Sequence, residues 1–207
     1  GNWGCQMNMR SIHSYIERNF SEKRKTHTFA VRDLALKLAD HYGADREKVE
    51  TAALFHDMFR GVPEQSINCY VKHLGLDPKY LNNPNLAHGK IAAIIMERDY
   101  GITDPEIIHA VSYHTTGRPA MSLTEKIIYI ADATEPNRVY PKVETLRRLS
   151  FENLDKALLL SLQHTIKYIQ SRGLYLDKDT VLAQQYYEEK EKMNEQQENS
   201  SSCGPDP

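Results

Sequence analysis

The sequence has few cysteines and no long apolar run. Its three cysteines, Cys5, Cys69 and Cys203, are odd in number and have no paired spacing, which argues against a secreted fold held by disulfides. No apolar run approaches the roughly 20 residues of a membrane-spanning helix, and the first residues lack the long apolar stretch of a signal peptide. We therefore expect a soluble, cytoplasmic protein with no membrane partner.

The chain also lacks a marked excess of charge of either sign. Its formal net charge is -2 at pH 7, without the basic surplus that is typical of non-specific nucleic-acid binding. We therefore do not expect a nucleic-acid partner. With 207 residues, the chain is long enough to bury a core without disulfides, and one compact domain is the expectation.

Signals for β-strands are nearly absent, and apolar residues recur at helical spacing along most of the chain. We predict an all-α fold, a single-domain helical bundle. Its helices are expected at about residues 22–42, 46–60, 64–73, 86–100, 105–114, from 123 to beyond 132, 154–172 and 178–187, with a proline-containing loop before residue 154. Residues 1–20 are predicted to be an N-terminal segment with a short helix. Residues 188–207 are polar and nearly devoid of apolar side chains, which predicts a disordered tail after a domain at 21–187.

Metal-binding residue types lie on or beside five of the predicted helices. A lone His-Asp pair such as His56-Asp57 is weak evidence, because short motifs occur by chance. Here further histidines and one more aspartate accompany the pair. The predicted ligands are His27, His56, Asp57, His88, His114 and Asp132. Imidazole and carboxylate ligands without thiolate suit Fe, Mn, Zn, Co or Ni and disfavour a closed structural zinc site.

The number of ligands favours two metal ions, because six protein ligands on one ion would leave no position for water or substrate. We expect His27, His56 and Asp132 to bind one ion, His88 and His114 to bind the other, and Asp57 to bridge them. Two such ions can lower the pKa of a shared water and bind a phosphoryl oxygen. This arrangement predicts hydrolysis of a phosphoester or phosphoanhydride by a hydroxide that two metals activate.

Polar residues near the predicted ligands fit a phosphate-containing substrate, since planar guanidinium groups match phosphate oxygens. The glycine in the turn after His114 could let backbone amides approach an anion. The predicted substrate contacts are Arg24, Arg60, Thr115, Gly117, Arg118 and Arg138. Of all these residues, we expect Asp57, Arg60 and Arg118 to be catalytic.

The predicted ligands occur along the chain in an order that resembles the two-metal branch of the HD-domain superfamily of metal-dependent phosphohydrolases. That order is His27, His56-Asp57 and Asp132, with His88 and His114 between Asp57 and Asp132. Three further stretches, at 113–119, 122–128 and 131–138, resemble the bacterial YqeK-type group, and the resemblance covers about residues 21–187. Two positions depart from the pattern: Arg60 stands where many members have lysine, and Leu176-Asp177-Lys178 stands where the group often has Ile-His-Pro.

This resemblance implies an HD-type helical bundle that acts as a symmetrical bis(5′-nucleosyl)-tetraphosphatase. The implied enzyme cuts diadenosine tetraphosphate in the middle to give two ADP. It uses two divalent metal ions, of which iron is the first choice and Mn, Co or Ni are the others. The resemblance also implies a homodimer. Two alternatives remain open: a phosphohydrolase of other specificity, acting on a nucleotide or an alarmone, and a non-catalytic metal or nucleotide sensor.

Overall fold

The computed structural model describes residues 2–201, with side chains from residue 4 onward, and within that range the chain is all helical with no strand. The helices are α1 (Asn2–Asn19), α2 (Glu22–Tyr42), α3 (Arg46–Phe55), α4 (Glu64–His73), a 3₁₀ turn (Pro78–Tyr80), α5 (Pro84–Tyr100), α6 (Pro105–Ser112), α7 (Leu123–Thr134), α8 (Val143–Glu152), α9 (Leu154–Ser171) and α10 (Lys178–Ser201). None of the described helices is both long and apolar enough to cross a membrane. The all-α prediction is confirmed.

Local signals in the sequence set the ends of most helices. The Ser21 side chain caps α2 by accepting a hydrogen bond from the Arg24 amide, and Gly43 ends the helix in the left-handed conformation that glycine favours. Ser122 and Glu125 form the capping box expected at the start of α7. These ends fix the turn of each helix on which the candidate ligands lie.

The centre of the bundle consists of α2, α3, α5, α6 and α7. Helix α2 packs against α3 and α7, and α6 packs against α3, α5 and α7. The α7 residues Ile127, Ile128 and Ile130 are fully buried, so this helix lies inside the bundle. Helices α8, α9 and α10 cover one side of it, since α9 contacts α7, α8 and α10.

The two ends of the chain differ from the prediction. Helix α1 is 18 residues long rather than short, and its Ile12 and Ile16 are fully buried in the core, so residues 2–19 belong to the folded unit. Helix α10 continues to Ser201, where a disordered tail was expected from residue 188. Residues 202–207 of that predicted tail lie outside the described part of the chain.

The physical reasons for the longer α10 are its composition and two ion pairs with α9, Lys190 with Asp155 and Glu191 with Lys156. Its polar half is rich in Glu, Lys and Gln, which favour helix even without burial. The last buried residue is Tyr187, and just beyond it Lys190 forms an ion pair with Asp155 of α9 at 2.7 Å. Helix α8, at Val143–Glu152, was not predicted at all; it begins after Lys142, which has a left-handed backbone and no capping side chain.

Candidate metal centre

The six predicted ligands come from five places in the bundle and converge at one point. His27 lies in the second turn of α2, and His56 and Asp57 directly follow the last residue of α3. His88 lies in the first turns of α5, His114 follows the end of α6, and Asp132 lies near the end of α7. All four histidines and Asp57 are buried. The structure thus brings together every residue of the predicted ligand set, which we call the ligand cluster.

Backbone carbonyl groups orient three of the four histidine rings. His56 Nδ1 lies 2.6 Å from the carbonyl oxygen of Ala53. His88 Nδ1 lies 3.2 Å from that of Pro84, and His114 Nδ1 lies 2.7 Å from that of Val111. Because a carbonyl oxygen can only accept, each Nδ1 must carry a proton and donate it, so that in the neutral ring the lone pair is on Nε2. This is the arrangement of metal-binding histidines, whose second nitrogen is usually held by a carbonyl or carboxylate.

Asp57 lies at the middle of the ligand cluster. Its Oδ1 is 3.2 Å from His88 Nε2 and 3.7 Å from His114 Nε2, and its Oδ2 is 3.4 Å from His27 Nε2. Two groups of three residues therefore share Asp57: one contains His27 and His56, and the other contains His88 and His114. Asp132 Oδ1 joins the first group at 2.9 Å from His27 Nε2 and 3.4 Å from His56 Nε2.

The unpaired nitrogen atoms of the cluster fit a bound cation. The Nε2 atoms of His27 and His56 are buried and make no hydrogen bond of acceptable geometry within residues 2–201, although buried polar atoms normally have partners. The Nε2 atoms of His88 and His114 are only 2.9 Å apart. At that distance two lone pairs would repel, so either one ring carries a proton between the two nitrogens or a cation binds both of them. The donor set fits a divalent metal ion.

The electrostatics of the cluster also favour positive charge. Burial alone would lower the pKa of His56, but the carboxylates of Asp57 and Asp132 outweigh it and raise that pKa to about 9. Burial would likewise raise the pKa of Asp57, yet the surrounding His56, His114 and His88 hold it well below its usual range. Asp57 is therefore an anion at neutral pH, which is the form that binds metal.

A cavity of about 230 Å³ opens directly above the ligand cluster. Its lining includes Arg24, Arg60, Thr115 and Arg138, which are four of the predicted substrate contacts. Arg24 Nη1 contacts Asp57 Oδ2 at 2.7 Å, and Arg138 Nη2 contacts Asp132 Oδ1 at 3.3 Å. The guanidinium of Arg60 has no ion pair in the described part of the chain. It is therefore free to bind an anion.

Two predicted substrate contacts lie elsewhere. The Arg118 guanidinium donates to both oxygens of the buried Glu125, at 2.6 and 2.7 Å, and does not line the cavity. The Gly117 amide donates to the Tyr113 carbonyl at 2.7 Å, so it is not available to an anion. The position of Gly117 and Arg118 in the turn after His114 did not indicate that the Gly117 amide and the Arg118 guanidinium are already bonded within the chain.

Other residues at the site were not predicted. Asn85, Tyr129, Ser161 and Thr165 line the cavity. Asn85 lies three residues before His88 on one helix face, which is a signal that spacing could have supplied. Ser161 and Thr165 come from α9, which contributes no ligand, and only the packing of α9 against α7 brings them to the site.

Comparison with known proteins places this cluster in a family context. A family model described as "HD domain" matches residues 24–137, a range that contains all six predicted ligands. The Bacillus subtilis protein named "Bis(5'-nucleosyl)-tetraphosphatase, symmetrical" is 35% identical over 177 residues, which is 85% of this chain and 95% of that protein. A Staphylococcus aureus protein of the same name is 33% identical over 184 residues, covering 87% of this chain and 95% of its own length.

A solved structure supports the same relationship. The crystal structure of a "predicted HD superfamily hydrolase involved in NAD metabolism" from Clostridium acetobutylicum superimposes with a TM-score of 0.83 and 38% sequence identity. The match covers 88% of this chain and 97% of the other. Fold and sequence thus agree over nearly the whole of each relative.

Proposed function

We start from the finding that this chain belongs to the HD domain family and propose that it is a symmetrical bis(5′-nucleosyl)-tetraphosphatase that hydrolyses diadenosine tetraphosphate to two ADP. The observation that supports this most is the pair of metal-binding groups that share Asp57 below a cavity lined by three arginines. Relatives with the same HD domain are named for this activity at 33–35% identity.

We propose two divalent ions, one held by His27, His56 and Asp132 and the other by His88 and His114, with Asp57 contacting both. Iron is our first choice, as the family resemblance implies, and the nitrogen and oxygen donors also suit Mn, Co or Ni. Such ions, when bound, polarise a phosphoryl oxygen and lower the pKa of water. The protein's own part is to fix the donors before binding, through the carbonyl contacts of three histidines.

The arginines of the cavity bind and orient the phosphate chain. Arg60, which has no internal partner among residues 2–201, is the first candidate. Arg24 and Arg138 each contact a ligand carboxylate, which holds their guanidinium groups beside the ligand cluster where planar forks can bind phosphate oxygens. In the overall reaction one water oxygen joins a central phosphorus, the central P–O–P bond breaks, and two ADP leave as stable anions.

Product analysis tests this proposal. Purified protein loaded with Fe²⁺ or Mn²⁺ should convert diadenosine tetraphosphate to ADP alone, and in H₂¹⁸O the label should appear in the β-phosphate of one ADP. Formation of AMP plus ATP would contradict the symmetrical cut. Preferred hydrolysis of a nucleoside monophosphate or of guanosine tetraphosphate would favour the other phosphohydrolase reading. Nucleotide binding without turnover under any metal would favour a sensor.

We also propose a homodimer, as the resemblance implies, and a location in the cytoplasm, which the odd number and unpaired spacing of the cysteines favour. Several large apolar side chains are exposed near the end of α9 and on α10: Tyr168, Leu174, Tyr175, Leu182 and Tyr186. Exposed apolar patches commonly mark interfaces between proteins. Light scattering after size-exclusion chromatography should give twice the chain mass, and Leu182→Glu should shift it to the monomer mass if this surface is the interface.

A further inference from the structure

One histidine of the ligand cluster is held differently from the other three. The Nδ1 atoms of His56, His88 and His114 each face a backbone carbonyl oxygen. Within residues 2–201, His27 Nδ1 makes no such carbonyl contact, and the oxygen that faces it is Glu135 Oε1, at 3.8 Å. A carboxylate thus lies behind His27 where carbonyl groups lie behind the other rings.

Glu135 is a buried carboxylate without a lysine or arginine partner. It directly follows α7 and is 1% exposed, and in the described part of the chain His27 is the residue with which it forms an ion pair. A buried carboxylate is unfavourable unless hydrogen bonds or a cation compensate it. The distance of 3.8 Å to His27 Nδ1 is longer than a hydrogen bond, but it is short enough for the negative charge to favour a proton on that nitrogen.

Three hydrogen bonds fix Glu135 in this position. Its amide donates to the Ala131 carbonyl at 3.0 Å, and its own carbonyl accepts from Arg147 Nη2 at 2.8 Å. The carboxylate oxygen Oε2 accepts from the Asn137 side chain at 3.0 Å. These bonds leave Oε1, the oxygen nearer to His27, to interact with the proton on His27 Nδ1.

Arg147 of α8 holds the segment that carries Glu135. Its Nε donates to the Thr134 carbonyl, and its Nη2 donates to the carbonyls of Glu135 and Arg138, each at 2.8 Å. A planar guanidinium binds several acceptors in fixed directions, which an ammonium group on a flexible stem does not. The segment between α7 and α8 is therefore attached to α8 at three carbonyl groups.

We propose that Glu135 is a positioning residue of the metal centre. Its carboxylate attracts the proton on His27 Nδ1 and so keeps His27 Nε2 turned toward the ion, while Arg147 holds the segment in place. The inference rests on the proposed function, since it assumes that His27 binds a metal ion. Metal-binding histidines usually donate their second N–H to a carbonyl or a carboxylate, and loss of that partner commonly lowers metal affinity by about 10- to 100-fold.

Metal titration tests this role without measuring turnover. Metal-free protein is titrated with Co²⁺, and binding is followed by visible absorption. Glu135→Ala should weaken one of two binding steps by about 10- to 100-fold and leave the other within about twofold, because the group that contains His88 and His114 does not include His27. Weakening of both steps to the same degree, or of neither, would overturn the proposal.

Two further variants separate positioning from a general effect on the fold. Glu135→Gln keeps an oxygen that can accept from His27 Nδ1, so it should lose less affinity at that step than Glu135→Ala does. It also decides the matter if Glu135→Ala fails to fold, because loss of the charge should still weaken the same step, and no change would overturn the proposal. Glu144→Gln is the matched control, because Glu144 also pairs with Arg147 but its side chain is 83% exposed.

A double-mutant cycle shows whether Glu135 acts through His27. In His27→Ala protein, adding Glu135→Ala should change Co²⁺ affinity less than twofold, because the ring that Glu135 orients is already gone. Further weakening of the same size as in the wild-type background would show that Glu135 acts on the fold in general, and it would overturn the proposal. So would a His27→Ala variant that binds Co²⁺ as the wild type does, because His27 would then not be a ligand.

The support from Arg147 is tested in the same titration. Arg147→Lys keeps the charge but not the three carbonyl bonds, so it should weaken the same binding step as Glu135→Ala. Unchanged Co²⁺ binding in Arg147→Lys would overturn the part that the proposal gives to Arg147.

The positioning role and the proposed function can fail separately. If wild-type protein cleaves diadenosine tetraphosphate but Co²⁺ binding is unchanged in the Glu135 variants, the proposed function stands and the role of Glu135 is wrong. If Glu135→Ala selectively weakens one binding step but wild-type protein releases no ADP from diadenosine tetraphosphate, the role of Glu135 stands and the proposed function is wrong.

Discussion

The ligand cluster and the Arg118–Glu125 pair each contain a buried carboxylate, but the charges of these carboxylates are balanced in different ways. Glu125 is 2% exposed, and Arg118 binds both of its carboxylate oxygens. The same carboxylate also accepts a bond from the Ser122 amide. In the ligand cluster, by contrast, buried nitrogens of His27 and His56 have no hydrogen-bond partner in the described part of the chain.

The difference separates structural charges from functional ones. A buried carboxylate that is paired within the chain offers nothing to a ligand, and removing its partner destabilises the fold because the charge is left unpaired. Buried polar atoms without partners are rare, and where metal-binding residue types converge they mark a place where a cation can bind. Four substitutions test this contrast, in order of the expected loss of turnover.

Asp57→Ala should cause the largest loss. Both groups of metal ligands share this carboxylate, so the variant should lose metal and lower turnover by about a thousandfold or more, since the ions supply several kcal/mol of transition-state stabilisation. Metal content by mass spectrometry and ADP release measure the two effects. Asp33→Ala is the control, because Asp33 is an exposed acid paired only with Arg32; full metal occupancy in the Asp57 variant would contradict the ligand assignment.

Gly89→Ala should remove part of the centre. A Cβ at Gly89 would lie 2.9 Å from the Val111 carbonyl oxygen and 3.0 Å from His114 Cε1, so α5 and α6 would have to separate. His88 and His114 would then lose their spacing, and turnover should fall by roughly 10- to 100-fold, as for other disturbed metal sites. Metal analysis should show about half the wild-type content. Gly4→Ala in α1 is the control, since a Cβ there contacts nothing within 4 Å.

Arg60→Ala should have a smaller effect and a different signature. Loss of one charged hydrogen bond to phosphate should lower kcat/KM about tenfold. Metal content and the melting temperature should be close to those of the wild type, because Arg60 has no ion-pair partner within residues 2–201. Arg98→Ala, which removes an exposed arginine paired with Asp99, is the control. A large loss of stability in the Arg60 variant would place Arg60 with the structural charges.

Arg118→Met should affect turnover least and stability most. Without Arg118 the buried Glu125 carboxylate is left unpaired, which costs about 3 kcal/mol or more and lowers the melting temperature by on the order of 10 °C. Arg148→Met, at an exposed arginine, should not lower it. If Arg118 contacts substrate, as the sequence suggested, the variant would instead raise KM for diadenosine tetraphosphate at least as much as Arg60→Ala does.

Part of the candidate site could be predicted from the sequence because His27 and Asp132 lie at helix positions that capping residues define. Ser21 and Gly43 set both ends of α2, and the capping box at Ser122 placed Asp132 two and a half turns into α7. Residue types that bind metal, together with the family resemblance, then predicted six candidate ligands.

The parts that failed depend on contacts that are distant in the sequence. Arg118 follows His114 closely, but only the position of Glu125 in the folded chain decides where its guanidinium points. Glu135 approaches His27 only because α7 packs against α2, and no periodicity relates those segments. Helix α8 starts at a lysine with positive φ, where sequence offers no capping signal.

The carbonyl contacts of His56, His88 and His114 have one more consequence. Rings that folding has already oriented give up little rotational entropy when an ion arrives, and they cannot rearrange to suit a larger one. Calcium prefers six to eight oxygen ligands in a flexible shell. A rigid set of imidazole nitrogens should therefore exclude calcium even where it far outnumbers transition metals, so selectivity is built in by the backbone of the helices themselves.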